Sequence, residues 1–363
     1  MSMAQWLEAY GNATVLATGG ALIGGLFGFF AQRSRFCLRA AVIEFWQRRF
    51  GVMVSVWLLA FASAVIAVQL MVLLGWLDTN SARQIAATGS LSGALIGGLT
   101  FGVGMVMTRG CASRLLVLSA NGNLRALLSG LIFAVAAQSA LSGALSPLRL
   151  TISSWWTVAG GPSRDLLAMT GLGHGAGLAM GGIWLIAALY FSLRSPQRGV
   201  WMWVGGIGTG LMVAAAWGFS QWVARESFDP VQIQGLTFSG PSAEWLMRVV
   251  QWPAPAIGFE FGLMPGVFIG SLIGALVGKD WKLEGFSDGY SMRRYIGGAI
   301  LMGFGAMLAG GCAVGAGVTG GAIFALTSWL SLVGMWLGAG LTDRWLDGGT
   351  SASVQASQAM PLS

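Results

Sequence analysis

Charge is what this sequence has least of. Of its 363 residues, 20 are basic and 13 acidic, together 9% of the chain, where a soluble domain carries about a quarter. So few charges cannot give a soluble enzyme of this length a polar skin. Three cysteines and one histidine, with no CxxC and no Cys/His ligand spacing, exclude a disulfide framework and a zinc site, and no metal or other cofactor is expected. The net charge is +7, but no basic run accompanies it, so nucleic acid is a poor partner. Residues 1–12 hold Glu8 and no basic residue, so no signal peptide is expected. The glycines lack the period of three that collagen needs, and 17 Trp with 19 Phe are too apolar for disorder.

What is present is apolar. Hydrophobic residues make up 55% of the chain and glycine accounts for 57 positions. A polytopic helical membrane protein fits this balance. A spanning helix needs about 20 apolar residues, and nine candidates lie near 13–31, 52–76, 88–108, 124–147, 166–192, 199–224, 258–278, 295–310 and 321–342. Shorter apolar pieces at 38–46, 112–120, 313–320 and 242–251 read as half-helices or surface helices. The expected fold is therefore all-α, with about nine transmembrane helices plus short re-entrant half-helices in two inverted repeats. A single transmembrane domain fills residues 1–363, with a first repeat at about 13–147, a linker at 148–165, a second repeat at about 166–346 and a disordered tail at 348–363.

Basic residues in short loops set orientation. Arg48 and Arg49, then Arg194 and Arg198, then Lys279, Lys282, Arg293 and Arg294 fall on one side after nine crossings, which is read as cytoplasmic. Loops 77–87, 148–165 and 225–257 lie opposite, with Trp155, Trp156, Trp245 and Trp252 as interface anchors. The N-terminus is then outside and the C-terminus inside. Gly20, Gly24 and Gly28, and the longer stripe Gly266, Gly270, Gly274 and Gly278, read as helix-packing faces, because lipid supplies no hydrophobic drive between helices.

The informative pattern is a repeat. Residues 102–112 read GVGMVMTRGCA and residues 303–313 read GFGAMLAGGCA. GALIGGL at 20–26 recurs at 93–99, and each copy is followed by a cysteine. All three cysteines, Cys37, Cys111 and Cys312, thus close a glycine-rich apolar helix. On the expected topology Cys111 and Cys312 belong to oppositely oriented repeats, the signature of secondary transporters whose site forms from broken helices. Irregular backbone at that depth must be surrounded by protein or line a cavity. Gly110, Cys111 and Ser113 supply one such break, and Gly310, Gly311 and Cys312 the other. Half-helix N-termini suit an anion. A thiol adds a weak donor and a polarisable sulfur, which suits a sulfur-bearing anion better than chloride or phosphate.

Arginines surround these elements. Arg33, Arg35 and Arg39 flank Cys37, and Arg109 and Arg114 flank Cys111. Intramembrane cations default to a functional role, but Arg33, Arg39 and Arg114 can equally snorkel to the interface. Arg109, next to the break, is read as functional. His174, Glu44 and Glu260 are candidate proton carriers. The histidine also reads as structural, Glu44 as a partner of a nearby arginine, and Glu260 as solvated near the outer interface. A competing class is a membrane thiol protein passing sulfur through persulfides, which the lack of a resolving CxxC and of a nearby His base disfavours.

QRSRFC at 32–37, GVGMVMTRGCAS at 102–113, FGLMPGVFIGSLIGAL at 261–276 and YIGGAILMGFGAMLAGGCAVGAG at 295–317 resemble the YeeE/YedE family from residue 20 to about 342. The resemblance implies a multi-pass protein of the bacterial inner membrane that imports thiosulfate. It implies nine spanning helices in two inverted halves, three cysteines lining the route, and a cytoplasmic sulfurtransferase of the TusA type as partner. Carried over, the path residues are Cys37, Cys111 and Cys312, and no catalysis is expected. One departure stands out: Arg109-Gly110-Cys111 replaces the family's usual GGC. With Arg114 this opens the alternative of sulfite, sulfate or a selenium-containing anion as cargo.

Overall fold

The computed structural model describes residues 3–195, 199–250, 252, 257–285 and 289–346. Arg198, Pro253, Pro255 and the tail 348–363 lie outside the described residues. The described chain is almost wholly helical. Its long helices are α1 (Met3–Arg33), α3 (Val52–Leu73), α5 (Leu91–Met107), α7 (Leu124–Ser142), α10 (His174–Arg194), α11 (Val200–Glu226), α13 (Phe259–Val277), α14 (Gly289–Ala309) and α15 (Leu326–Leu346). Between them lie α2 (Leu38–Trp46), α4 (Arg83–Ala86), α6 (Ala112–Ala120), α8 (Ser146–Ser154), α9 (Leu166–Met169), α12 (Ser239–Val250) and a π-helical segment, Ala313–Gly320. The pieces expected at 38–46, 112–120 and 313–320 are therefore helical within those limits.

Some boundaries differ. Nine long helices stand where nine spans were expected, and eight stretches among the described residues are long and apolar enough by composition to cross a membrane. α15, with Thr327, Ser328, Ser331, Thr342 and Asp343 on its buried face, is not among those eight, although it packs parallel to α5. The span expected at 166–192 is interrupted after Met169, where Gly171 takes φ 67°. The loop expected at 148–165 begins inside α8 and contains a two-residue strand, Thr157–Val158 (β2), paired antiparallel with Gly89–Ser90 (β1). Ser90 Oγ then accepts the Gly93 amide at 2.8 Å and starts α5. Trp155, Trp156 and Trp252 are exposed as interface anchors should be. Trp245 instead stacks on Phe261 with ring centroids 4.6 Å apart.

Glycine contacts give the relative directions of the helices. Gly20 lies against Phe259, Gly24 against Leu263, Gly28 against Val267 and Gly274 against Phe29, so α1 and α13 run parallel with their glycine faces interlocked. The expected stripes are packing faces. A methyl group at Gly262 or Gly270 would enter the Ala17 or Gly25 carbonyl, so the backbones are as close as helices come. In the same way Gly98 meets Ser331 and Gly102 meets Met335, which makes α5 and α15 parallel. Gly93 meets Leu308 and Gly104 meets Gly298, which makes α5 and α14 antiparallel. The C-terminal ends of α5 and α14, each followed by a cysteine, thus lie at opposite ends of the packed pair.

Two segments break into this bundle. Gly298 sits beside Thr108, so α14 continues ~14 Å beyond the break after α5 at 1.5 Å per residue. At the other end residues 227–238 fold back along α11. There Ser220 Oγ donates to Gln234 O at 2.8 Å, and Thr319 Oγ1 donates to Leu236 O at 2.6 Å.

Candidate functional site

Each cysteine is built by the same local device. α1, α5 and α14 all end in a turn whose left-handed residue stands two positions before the cysteine: Arg35 (φ 56°), Arg109 (φ 57°) and Gly310 (φ 80°). The next amide bonds back five residues, Phe36 N to Ala31 O at 3.0 Å, Gly110 N to Met105 O at 3.1 Å and Gly311 N to Ala306 O at 2.9 Å. These are the helix-closing bonds of a Schellman turn. The cysteine then takes extended dihedrals and becomes the N-cap of the next short helix: Cys37 for α2, Cys111 for α6 and Cys312 for the π-helical segment. The repeated GC element thus encodes a helix stop, a thiol and a helix start. Gly310 adopts the left-handed conformation freely, whereas Arg35 and Arg109 hold it at a cost of about 1–2 kcal/mol each.

All three thiols are free and buried, with Cys37 at 7% exposure and Cys111 and Cys312 at 1%. They are not one cluster. The Cys37 and Cys111 thiols are neighbours, and Cys111 Sγ lies 3.4 Å from Ser113 Oγ. Cys312 sits at the opposite end of the α5/α14 pair, where its sulfur accepts the Gly315 amide at 3.5 Å. Thr237 packs against Gly315, and Thr237 Oγ1 lies 3.5 Å from Ser239 Oγ. Each end therefore pairs a thiol with hydroxyls and a short-helix N-terminus.

Three buried phenylalanines stand between these groups in the packing. Phe27 of α1 touches Phe36, the neighbour of Cys37, at 6.4 Å between centroids. It also touches Phe238, the neighbour of Thr237, at 5.2 Å.

The arginines divide. Arg109, expected to act beside the thiols, has an exposed side chain. Arg114, one turn into α6, is the guanidinium whose field reaches both Cys37 and Cys111. Its Nη1 donates to Gln32 Oε1 at 3.5 Å. Arg35 lies half-buried within reach of the same charge. Arg33 pairs with Asp280 at 3.8 Å and covers the Trp201 ring, so it locks α1 to the end of α13. Gly110 and Gly311 are buried and Gly310 is exposed.

Among the described residues Glu44 forms no ion pair with an arginine that stands out beside its backbone contacts. Its Oε2 accepts the amides of Gly51, Met53 and Val54 at 3.2, 3.1 and 3.0 Å, which makes it the N-terminal cap of α3. His174 Nδ1 lies 3.3 Å from Gln69 Oε1, and Gln69 Nε2 donates to Ala322 O at 2.8 Å. The histidine thus ties α10 to Gln69 of α3, which in turn holds the Ala322 carbonyl just beyond the π-helical segment. Glu260 is half-buried: its Oε2 is enclosed without a hydrogen-bond partner, and the residue lines a cavity.

Sequence reasoning missed Thr237, Ser239, Gln232 and Gln234. Their signal was the polar alternation Gln232-Ile233-Gln234 followed by Thr237-Phe238-Ser239 inside an apolar chain.

These features define a multi-pass helical membrane protein with broken, thiol-capped helices. Residues 33–341 match the family described as Sulphur transport, and the chain belongs to that family. It is 27% identical to the thiosulfate transporter TsuA of Escherichia coli (strain K12) over 344 residues, covering 90% of this chain and 93% of that protein. It is 26% identical to the thiosulfate transporter TsuA of Spirochaeta thermophila over 350 residues, covering 90% and 98%.

Proposed function

We propose that this protein imports thiosulfate, or a closely related sulfur oxyanion, across the bacterial inner membrane by passing it between two thiol stations. The observation that carries this reading is the recurrence of one device. Three left-handed turns each place a buried cysteine at the N-cap of a short helix.

The outer station is Cys312 with Thr237 and Ser239. The inner station is Cys37, Cys111 and Ser113, with Arg114 and Arg35 as counter-charges. Helix N-termini and hydroxyls replace part of the hydration shell of the anion. Sulfhydryls bind weakly enough for release, as conduction requires. Phe27, Phe36 and Phe238 close the space between the stations. On this reading the N-terminus is periplasmic and the C-terminus cytoplasmic, and the anion leaves to a sulfur-accepting protein of the TusA type.

The helix pairings support two inverted halves. α1 packs on α11 and α13, while α3 packs on α11. α5 packs on α14 and α15, while α7 packs on α14. Exchanging α1 with α11, α3 with α13, α5 with α14 and α7 with α15 maps this set onto itself. The repeats on this reading are α1–α7 and α11–α15, with α10 between them, so the second repeat starts near Val200 rather than near residue 166.

The test is uptake of a panel of radiolabelled sulfur anions by purified protein in vesicles. Thiosulfate uptake that is lost in Cys111→Ala, with the protein still folded, supports the relay. Unchanged uptake by that variant removes it.

The contact between Cys37 and Cys111 favours a second reading, sulfur transfer. The Cys37 thiolate would take the sulfane sulfur of thiosulfate and release sulfite, leaving a persulfide that the Cys111 thiol could receive. Intact mass after thiosulfate exposure separates the two readings, because only transfer adds a sulfur atom to the protein.

A further inference from the structure

A cavity of about 190 Å³ lies on the side where residues 227–238 fold into the bundle. It is lined by Gln232, Gln234, Glu244, Trp245, Arg248 and Glu260 among others. A narrower pocket of about 20 Å³ shares Gln232, Gln234 and Glu260 with it and continues to Thr237, Gly310 and Gly315. Gly315 donates to the sulfur of Cys312. The two spaces therefore lead from the protein surface to Gly315, whose amide holds the Cys312 sulfur, and Glu260 lines both.

A carboxylate is the wrong group to line the approach to an anion site if it stays ionised. Glu260 abuts the carboxyl group of Glu244, and its Oε2 is buried with no partner. Two touching carboxyl groups are satisfied only when a proton lies between them. Arg83 faces Glu260 from α4 and also lines the narrow pocket. Arg248 lines the wide cavity from α12. With both glutamates ionised, these four side chains sum to zero. Each proton taken up leaves the mouth one unit more positive.

We propose that the Glu244–Glu260 carboxyl pair is a proton-operated gate at the outer mouth. In the protonated state it donates hydrogen bonds to an arriving sulfur oxyanion within a cationic surround, and in the ionised state it repels that anion from Cys312. The proposal rests on the reading of this cavity as the start of the transport path. The gate makes the rate of uptake depend on the proton concentration outside.

The first measurement is initial thiosulfate uptake by vesicles at clamped membrane potential and fixed internal pH. The wild-type rate falls about five- to ten-fold as external pH rises by about two units through neutrality. Glu260→Gln keeps a nearly constant rate over the same range, because the amide donates a hydrogen bond at every pH. A pH-independent wild type, a Glu260→Gln variant that keeps the full pH dependence, or a folded Glu260→Gln variant without uptake at any pH overturns the gate.

The second measurement needs no transport. In the Cys37→Ser/Cys111→Ser double variant, Cys312 is modified by anionic sulfonatoethyl methanethiosulfonate or by neutral methyl methanethiosulfonate. Both react with the same thiolate, so the ratio of their rates reports access of an anion alone. That ratio rises as external pH falls, and Glu260→Gln abolishes the rise. A ratio independent of pH, or a Cys312 that reacts with neither reagent, overturns the gate. A pH-dependent ratio in a protein that transports no sulfur anion retains the gate and removes the transport reading.

Discussion

The thiols of Cys37 and Cys111 lie side by side. α1 and α5 end at the same level, and each end turns through a left-handed arginine into an N-capping cysteine. A mild oxidant should therefore join Cys37 to Cys111 and leave Cys312 free. Peptide mapping of oxidised protein checks this, and a disulfide involving Cys312 would contradict the separation of the two ends.

Arg114 and Arg109 should differ in their effect on uptake. Arg114 faces both inner thiols, whereas the Arg109 side chain is exposed. Removing a charge-assisted contact costs about 1.5–3 kcal/mol, so Arg114→Gln should weaken apparent affinity for a dianion roughly ten- to a hundred-fold. Arg109→Gln should change it only a few-fold. Concentration dependence of vesicle uptake measures both, and equal effects would disconnect Arg114 from the path.

Backbone strain predicts stability changes of opposite sign. Arg109→Gly relieves a left-handed non-glycine residue and should stabilise the folded protein by about 1 kcal/mol. Gly310→Ala imposes the same strain at the equivalent turn and should destabilise it by a similar amount. Thermal unfolding of both variants in detergent checks the pair.

Gly270→Ala should cost more. The added methyl group enters the Gly25 carbonyl, so α1 and α13 must separate, and overpacking of this kind costs about 1–3 kcal/mol. A lowered melting temperature in detergent, with Gly130→Ala as the control in open space, is the expected result.

Glu44 should behave as a cap. Its carboxylate holds three amides at the start of α3, so Glu44→Ala should lose about 1–2 kcal/mol of stability. The pH dependence of uptake should stay as in the wild type. A changed pH profile would return Glu44 to the proton carriers.

Much of this was legible in the residues. Apolar length located the helices, and the limits of α2 and α6 followed from apolar runs that stop at a cysteine on one side and at Gln47 or Asn121 on the other. The spacing of Gly20, Gly24 and Gly28 announced a packing face, although it could not name Phe259, Leu263 and Val267 as the surface received. Charge misled locally. Arg109 looked functional because it adjoins Cys111 in sequence, but its side chain is exposed while that of Arg35, at the equivalent turn, is half-buried. Glu44 looked like an arginine's partner because arginines are its sequence neighbours, but the amides of the next helix came closer. Glu260 looked solvated because it begins a span, but α12 folds over it.

The sequence by itself determined the membrane class, the helical elements and the three identical thiol-bearing breaks, because each depends on local composition and on bonds made within a few residues. Only the tertiary structure decided that two thiols meet while the third stands at the far end of α14, that Arg114 rather than Arg109 lies by the Cys37–Cys111 pair, and that two glutamates line one cavity. Those outcomes depend on helix direction and depth, which arise when glycine faces distant in sequence dock against one another.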